Sequence, residues 1–117
     1  MASATSVSTH ILDTSLGRPA AGVGVELSVR PGHDTPWAAH AGSVTDADGR
    51  CMDLPALPES TTEVRLRFET GPYLSGAKGR PPAFFPEVSV VFAVEPGEHY
   101  HVPLLLTPFG YSVYRGS

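Results

Sequence analysis

Val23, Val25, Leu27 and Val29 stand at every second position, with Gly24, Glu26, Ser28 and Arg30 between them. A helix would scatter four such side chains around its axis, whereas a strand places them all on one face. The same period returns in Val64, Leu66 and Phe68 and again in Val88, Val90, Phe92 and Val94. Turn residues close the runs: Pro31-Gly32, Asp48-Gly49 and Pro96-Gly97. The 12 glycines and 12 prolines are spread as punctuation between apolar runs, which marks an ordered all-β chain and not a low-complexity one. Read in order, strands are expected over residues 7–13, 23–30, 37–45, 50–54, 63–69, 88–94, 99–107 and 111–115. Eight short strands at this spacing suit a sandwich or barrel. A loop is expected over 17–22, a tight hairpin at Asp48-Gly49, and one short packed helix over 72–78. Glu63, Arg65, Arg67 and Glu69 give one strand an outer face of mixed charge, a pattern that discourages edge pairing.

The length of 117 residues fits one domain spanning 1–117, large enough to bury roughly two thirds of its unfolded surface. The net charge of -4 comes with no basic stripe for nucleic acid, and no run reaches the roughly 18 apolar residues of a membrane helix. Cys51 is the single cysteine, so no intrachain disulfide forms, and Met1 to Ser6 lacks the pattern of a signal peptide. A reducing, cytoplasmic setting is expected. Without a global field to select a partner, recognition must be local.

Imidazoles are the groups best suited to move a proton at neutral pH, and His10 and His101 lie within expected strands. A strand histidine also serves as an ordinary hydrogen-bonded core or rim residue, and His33 and His40, beside loops, are read that way. His99-x-His101 with His10 would make a three-histidine zinc site, but no acidic or thiolate ligand stands nearby and no metal is expected. Asp46-x-Asp48-Gly49 opens like a calcium loop and lacks the later ligands, so it reads as a turn. Arg50, just after it, is placed to hold an anionic heterocycle or an oxyanion, or else is a solvated turn residue. Alternation points Cys51 the other way, as a small buried hydrophobe. Pro108-Phe109-Gly110, taken as a three-residue loop, folds 111–115 back on 99–107 and sets His101 opposite Ser117. The final residues are then anchored in a sheet, which holds Arg115 and Ser117 in fixed positions.

Tyr114-Arg115-Gly116-Ser117, together with Ser8-Thr9-His10-Ile11-Leu12-Asp13 and His99-Tyr100-His101-Val102-Pro103-Leu104-Leu105, resembles the 5-hydroxyisourate hydrolases, the transthyretin-related enzymes of urate breakdown. The resemblance runs nearly the whole length of the chain. Thr45-Asp46-Ala47-Asp48-Gly49 is a looser version of the family's lead-in to its arginine. The resemblance implies a transthyretin-like (prealbumin-like) sandwich of two four-stranded sheets with one short helix. It also implies a homotetramer whose first, seventh and eighth strands line a central channel. The implied reaction is the opening of a cyclic amide bond of 5-hydroxyisourate by water, without a cofactor, to give 2-oxo-4-hydroxy-4-carboxy-5-ureidoimidazoline. His10 and His101 would then be base and orienting partner in an order left open, Arg50 and Arg115 would hold substrate oxygens, and Ser117 would position water or substrate. Tyr114 and Gly116 would complete the substrate's surroundings. The alternatives are a transthyretin-like carrier of small aromatic ligands without catalysis, and a structural sandwich module.

Overall fold

The computed structural model describes residues 4–75 and 82–117. Nine strands and one helix are found among them: β1 (Ser6–Asp13), β2 (Arg18–Pro19), β3 (Gly24–Arg30), β4 (Ala38–Val44), β5 (Arg50–Cys51), β6 (Glu63–Glu69), α1 (Thr70–Leu74), β7 (Val88–Ala93), β8 (His99–Thr107) and β9 (Gly110–Val113). One sheet runs β4-β3-β6-β7, and the other runs β2-β1-β8-β9 with β5 also paired to β1. The expected two-sheet sandwich with its short helix is therefore present. The second sheet gains a fifth member because β2 and β5, two residues each, share the free edge of β1.

The period-two runs fill the space between the sheets. Ile11 from β1, Leu27 from β3, Leu66 and Phe68 from β6, and Leu104 and Leu106 from β8 are almost wholly buried. Each such side chain stabilises the fold by about 1.5–3 kcal/mol relative to exposure. β1 and β8 are parallel, with Ser6 beside His99, Ser8 beside His101 and His10 beside Pro103; the other ladders are antiparallel. Inside the sandwich the Thr9 hydroxyl donates to the Val102 carbonyl at 2.6 Å, which fixes this register from the core side.

Three local expectations are corrected, and the charged face of β6 lies on the outside of its sheet as expected. Residues 17–22 are not all loop, since Leu12 pairs with Pro19. Asp46 to Gly49 is a turn, yet it does not return the chain along β4. The Thr45 hydroxyl is spent on the Val23 amide and the Ala20 carbonyl, and the chain then crosses to the other sheet, where Cys51 pairs with Thr9 and Arg50 with His10. The mixed-charge strand β6 is central, flanked by β3 and β7, and its charges serve as outer-face ion pairs: Arg30 with Glu63, and Arg67 with Glu26, Glu69 and Glu87. The helix begins earlier than expected, at Thr70, whose hydroxyl donates to the Phe85 carbonyl; the 76–78 part of the expected helix lies outside the described residues.

The last hairpin differs by one residue. Thr107 pairs with Gly110, so the loop is Pro108-Phe109 alone and Gly110 starts the strand. Continuing that register sets His101 opposite Gly116, where an antiparallel bridge and a 2.7 Å Gly116 N–H to His101 carbonyl bond are found, and not opposite Ser117. The ladder lapses between Val113 and Gly116. The cause is Pro103: by the alternation of an antiparallel pair it would have to donate to Tyr114, and it has no N–H.

Gly49 carries the crossing. Its φ is +75°, and a Cβ there would collide with the Ile11 carbonyl oxygen and stand 3.1 Å from Pro19 Cβ. We expect Gly49→Ala to destabilise the fold by roughly 1–3 kcal/mol through this strain. A urea unfolding midpoint equal to wild type would show that the crossing tolerates a side chain there.

Candidate active site

Alternation divides β1 and β8 into two faces. Val7, Thr9 and Ile11 with Tyr100, Val102 and Leu104 point into the sandwich, leaving Ser6, Ser8, His10, His99 and His101 on the outer face. Parallel pairing brings residues more than ninety positions apart into contact on that face. Ser8 Oγ lies 2.8 Å from His101 Nδ1 and 2.9 Å from His99 Nε2, and Ser6 Oγ lies 2.7 Å from His99 Nδ1. Arg50 reaches the same face from β5 as the antiparallel partner of His10. Its backbone is held by the turn before it: Asp46 Oδ1 accepts the Asp48 amide at 2.9 Å and the Arg50 amide at 3.0 Å.

Burial holds the His101 pKa below its ordinary value of 6.5, and the nearby His10, His99 and Arg50 charges add to the effect. The ring is therefore neutral at pH 7, with Nδ1 engaged by Ser8 and Nε2 left to act. His10 Nε2 is buried with no hydrogen-bond partner, a second ring nitrogen on this face whose capacity is unspent. The two imidazoles and Arg50 make a cluster able to deprotonate water and steady negative charge on a carbonyl oxygen.

Of the expected site residues, His10, Arg50 and His101 are brought together. Gly116 joins them sterically: a Cβ there would stand 2.8 Å from His101 Cδ2, so the imidazole occupies space that only glycine leaves free. Tyr114 is about half exposed and, by the hairpin register, falls on the same face as His101. Arg115 points the other way. Its guanidinium lies 4.4 Å from the centre of the Tyr100 ring, which belongs to the core, and 3.7 Å from Glu98. Ser117 is exposed and follows the last bridge, so His101 faces Gly116 and not Ser117.

Ser6 and Ser8 are contacts that reading for catalytic residue types did not single out, and His99 was weighed there only as a zinc ligand. The signal was present in the polar alternation Ser6, Ser8, His10 on a strand whose other face is apolar. Among the described residues no three His, Cys, Asp or Glu side chains gather closely enough to hold a metal. His40 donates from Nε2 to the Ala56 carbonyl at 2.8 Å and His33 faces Glu63, both far from this face. Cys51 points inward, as expected, and burial pushes its thiol pKa up, which suits packing and not attack. Asp13 ends β1 inside the fold. Burial raises its pKa, but donors from Ser15, Tyr73 and Leu16 outweigh this and hold it below the ordinary value, making it a structural tie.

A β-sandwich with paired histidines and an arginine on one sheet face is a transthyretin-type fold carrying a polar site. The sequence profile of the HIUase/Transthyretin family matches residues 7–116, and the chain belongs to that family. A 5-hydroxyisourate hydrolase of Caulobacter vibrioides is 45% identical over 114 residues, covering 95% of this chain and 97% of that protein. One from Halalkalibacterium halodurans is 45% identical over 118 residues, with 95% and 97% covered. Among solved structures, the 5-hydroxyisourate hydrolase of Klebsiella pneumoniae matches with a TM-score of 0.77 at 40% identity, covering 95% of this chain and 98% of that one. Transthyretin from Sparus aurata matches with a TM-score of 0.80 at 31% identity, covering 94% and 95%. The near-equal scores show that the backbone does not separate the hydrolase from the transthyretin, so the distinction rests on side chains.

Proton-detected nitrogen NMR of histidine-labelled protein should show His101 titrating below 6.5. Arg50→Gln, which removes one opposing positive charge, should move that midpoint upward. A midpoint at or above the ordinary value, or no movement in the variant, would contradict the electrostatics described for this face.

Proposed function

We propose that this chain, folded as one domain, hydrolyses 5-hydroxyisourate, opening a cyclic amide bond to give 2-oxo-4-hydroxy-4-carboxy-5-ureidoimidazoline. The observation that carries the reading is the neutral His101 fixed through Nδ1, beside His10 and Arg50, on the face expected to bind substrate. A carrier of apolar aromatic ligands has no use for two imidazoles and a guanidinium in its lining, and burying them would cost free energy without return. The likeness in sequence to 5-hydroxyisourate hydrolases over almost the full length supports the same conclusion.

His101 takes a proton from water at Nε2, since its other nitrogen is held by Ser8. His10 orients that water with its unspent Nε2. Arg50 stabilises the oxyanion as the carbonyl is attacked, and the ring carbon–nitrogen bond breaks as its nitrogen is protonated. Tyr114 offers an aromatic surface to the heterocycle, and Gly116 keeps the floor under His101 clear. Arg115, held by Tyr100 and Glu98, anchors the tail and is not assigned a substrate contact. Ser117 is given to a site completed by a second subunit. No cofactor takes part in any step.

The outer faces of the β1-β8-β9 sheets are proposed to line the channel of a homotetramer in the cytoplasm, where the one cysteine stays free. A shared channel accounts for a sheet face that leaves Tyr114 exposed beside the histidines. Light scattering should give four chains per particle. A monomer with full activity at nanomolar dilution would contradict the channel.

The decisive assay follows the absorbance of freshly made 5-hydroxyisourate with and without protein. Decay should accelerate with wild type, and His101→Asn should lose roughly 10²–10⁴-fold in kcat while melting as wild type does. Gly116→Ala should also lower turnover by crowding the ring. Unchanged decay with folded wild-type protein would leave the carrier reading standing.

A further inference from the structure

We propose that Ser6, His99 and Ser8 form a proton relay that connects the catalytic imidazole of His101 to solvent. Ser8 and His99 act in it as positioning residues for the base. This deepens the hydrolase reading and rests on it.

The geometry is an unbroken chain of three hydrogen bonds: His101 Nδ1 to Ser8 Oγ at 2.8 Å, Ser8 Oγ to His99 Nε2 at 2.9 Å, and His99 Nδ1 to Ser6 Oγ at 2.7 Å. Its inner end is sheltered, for Ser8 is buried, and its outer end is exposed at His99, with Ser6 half-buried beside it. One hydroxyl has one proton. Ser8 can donate to only one of its two ring partners and must accept from the other, so in the relay the two rings have to take matching tautomers. Two arrangements satisfy every bond. In the first, His101 Nδ1–H donates to Ser8, Ser8 donates to His99 Nε2, and His99 Nδ1–H donates to Ser6; His101 Nε2 is then a bare base. In the second every donor is reversed and His101 Nε2 carries a proton, making it an acid.

Passing one proton along the chain converts each arrangement into the other. When water is deprotonated, its O–H breaks and the His101 Nε2–H forms. The Nδ1 proton moves to Ser8, the Ser8 proton to His99 Nε2, the His99 Nδ1 proton to Ser6, and the Ser6 proton to solvent. Hydroxide adds to the carbonyl carbon. When the ring carbon–nitrogen bond breaks, His101 Nε2–H protonates the leaving nitrogen, a proton returns inward by the same path, and the first arrangement is restored. The new carboxylic acid ionises, so each turnover consumes one water and releases one proton. The relay has a physical reason to exist here: burial and the neighbouring Arg50 charge oppose a positive His101, as would a proton stored on His10 or His99, and Glu98, next in the chain to His99, is drawn toward Arg115. Handing the proton on through Nδ1 spares the ring from storing that charge.

The test uses full-length wild type, Ser8→Ala, and the exposed-site variant His99→Gln as a second route should the buried one fold poorly. Both variants should lower kcat by at least about tenfold, within the range a positioned acid–base group supplies, with KM nearly unchanged. In mixtures of light and heavy water, wild-type kcat should fall along a curve, since several protons move together, and the variants should give straight lines. A variant with wild-type kcat, or one that loses kcat and keeps the curve, would overturn the relay. Nitrogen NMR of the imidazoles provides a readout independent of turnover: Ser8→Ala should shift the ring nitrogens of both His99 and His101, and unchanged resonances would overturn the bonded chain. If wild type fails to hasten substrate decay while that NMR signature is intact, the hydrolase reading fails, and the relay's catalytic role with it, although the bonds stand.

Discussion

The parallel pairing of β1 with β8 is the constraint on which the rest depends. It seats Ser8 beside His101 although 93 positions separate them, and local sequence does nothing to favour such a contact. The register is set from the other face of the sheet. A slip of one residue would turn Val7 and Ile11 toward solvent, at about 1.5–3 kcal/mol for each, and would break the buried Thr9 hydroxyl bond. The apolar interior thereby decides which polar groups meet outside it, and the imidazoles inherit the rigidity of the core.

The opposite edge of β1 is shaped by a crossing. Two short segments, Arg18–Pro19 and Arg50–Cys51, occupy it in place of one long strand. The Asp46 carboxylate organises the turn, and Gly49 lets the backbone pass close to Ile11. Arg50 follows directly, so a residue with a long flexible side chain has a fixed base beside His10. Covering the edge also removes an open row of backbone groups that would otherwise invite pairing.

Much of this was legible in the sequence, and the failures have physical causes. Period-two runs gave the strands because each buries one face, and His10, Arg50 and His101 were picked out by residue type and by family resemblance. Strand partners were harder. Asp48-Gly49 is a hairpin signal, but Thr45 and the interior drew the chain across to the other sheet instead. Gly110 read as loop because glycine permits turns, whereas Pro108-Phe109 closes the hairpin alone and moves every later side chain to the other face. The polar alternation Ser6, Ser8, His10 marked a face and not its partners, because the contacts with His99 and His101 arise only once two distant strands are laid in parallel.

That one-residue register makes the tail two-sided. Gly116 lies under His101 on the outer face, while Arg115 reaches inward to Tyr100 and Glu98. Neighbouring codons therefore encode separable properties: lesions at 115 register as loosened packing at the open end of the sandwich, and lesions at 116 as a displaced imidazole. A deep mutational scan through this segment, scored separately for abundance and for turnover, would show the two phenotypes alternating from one position to the next, a strand's periodicity read out in genetics.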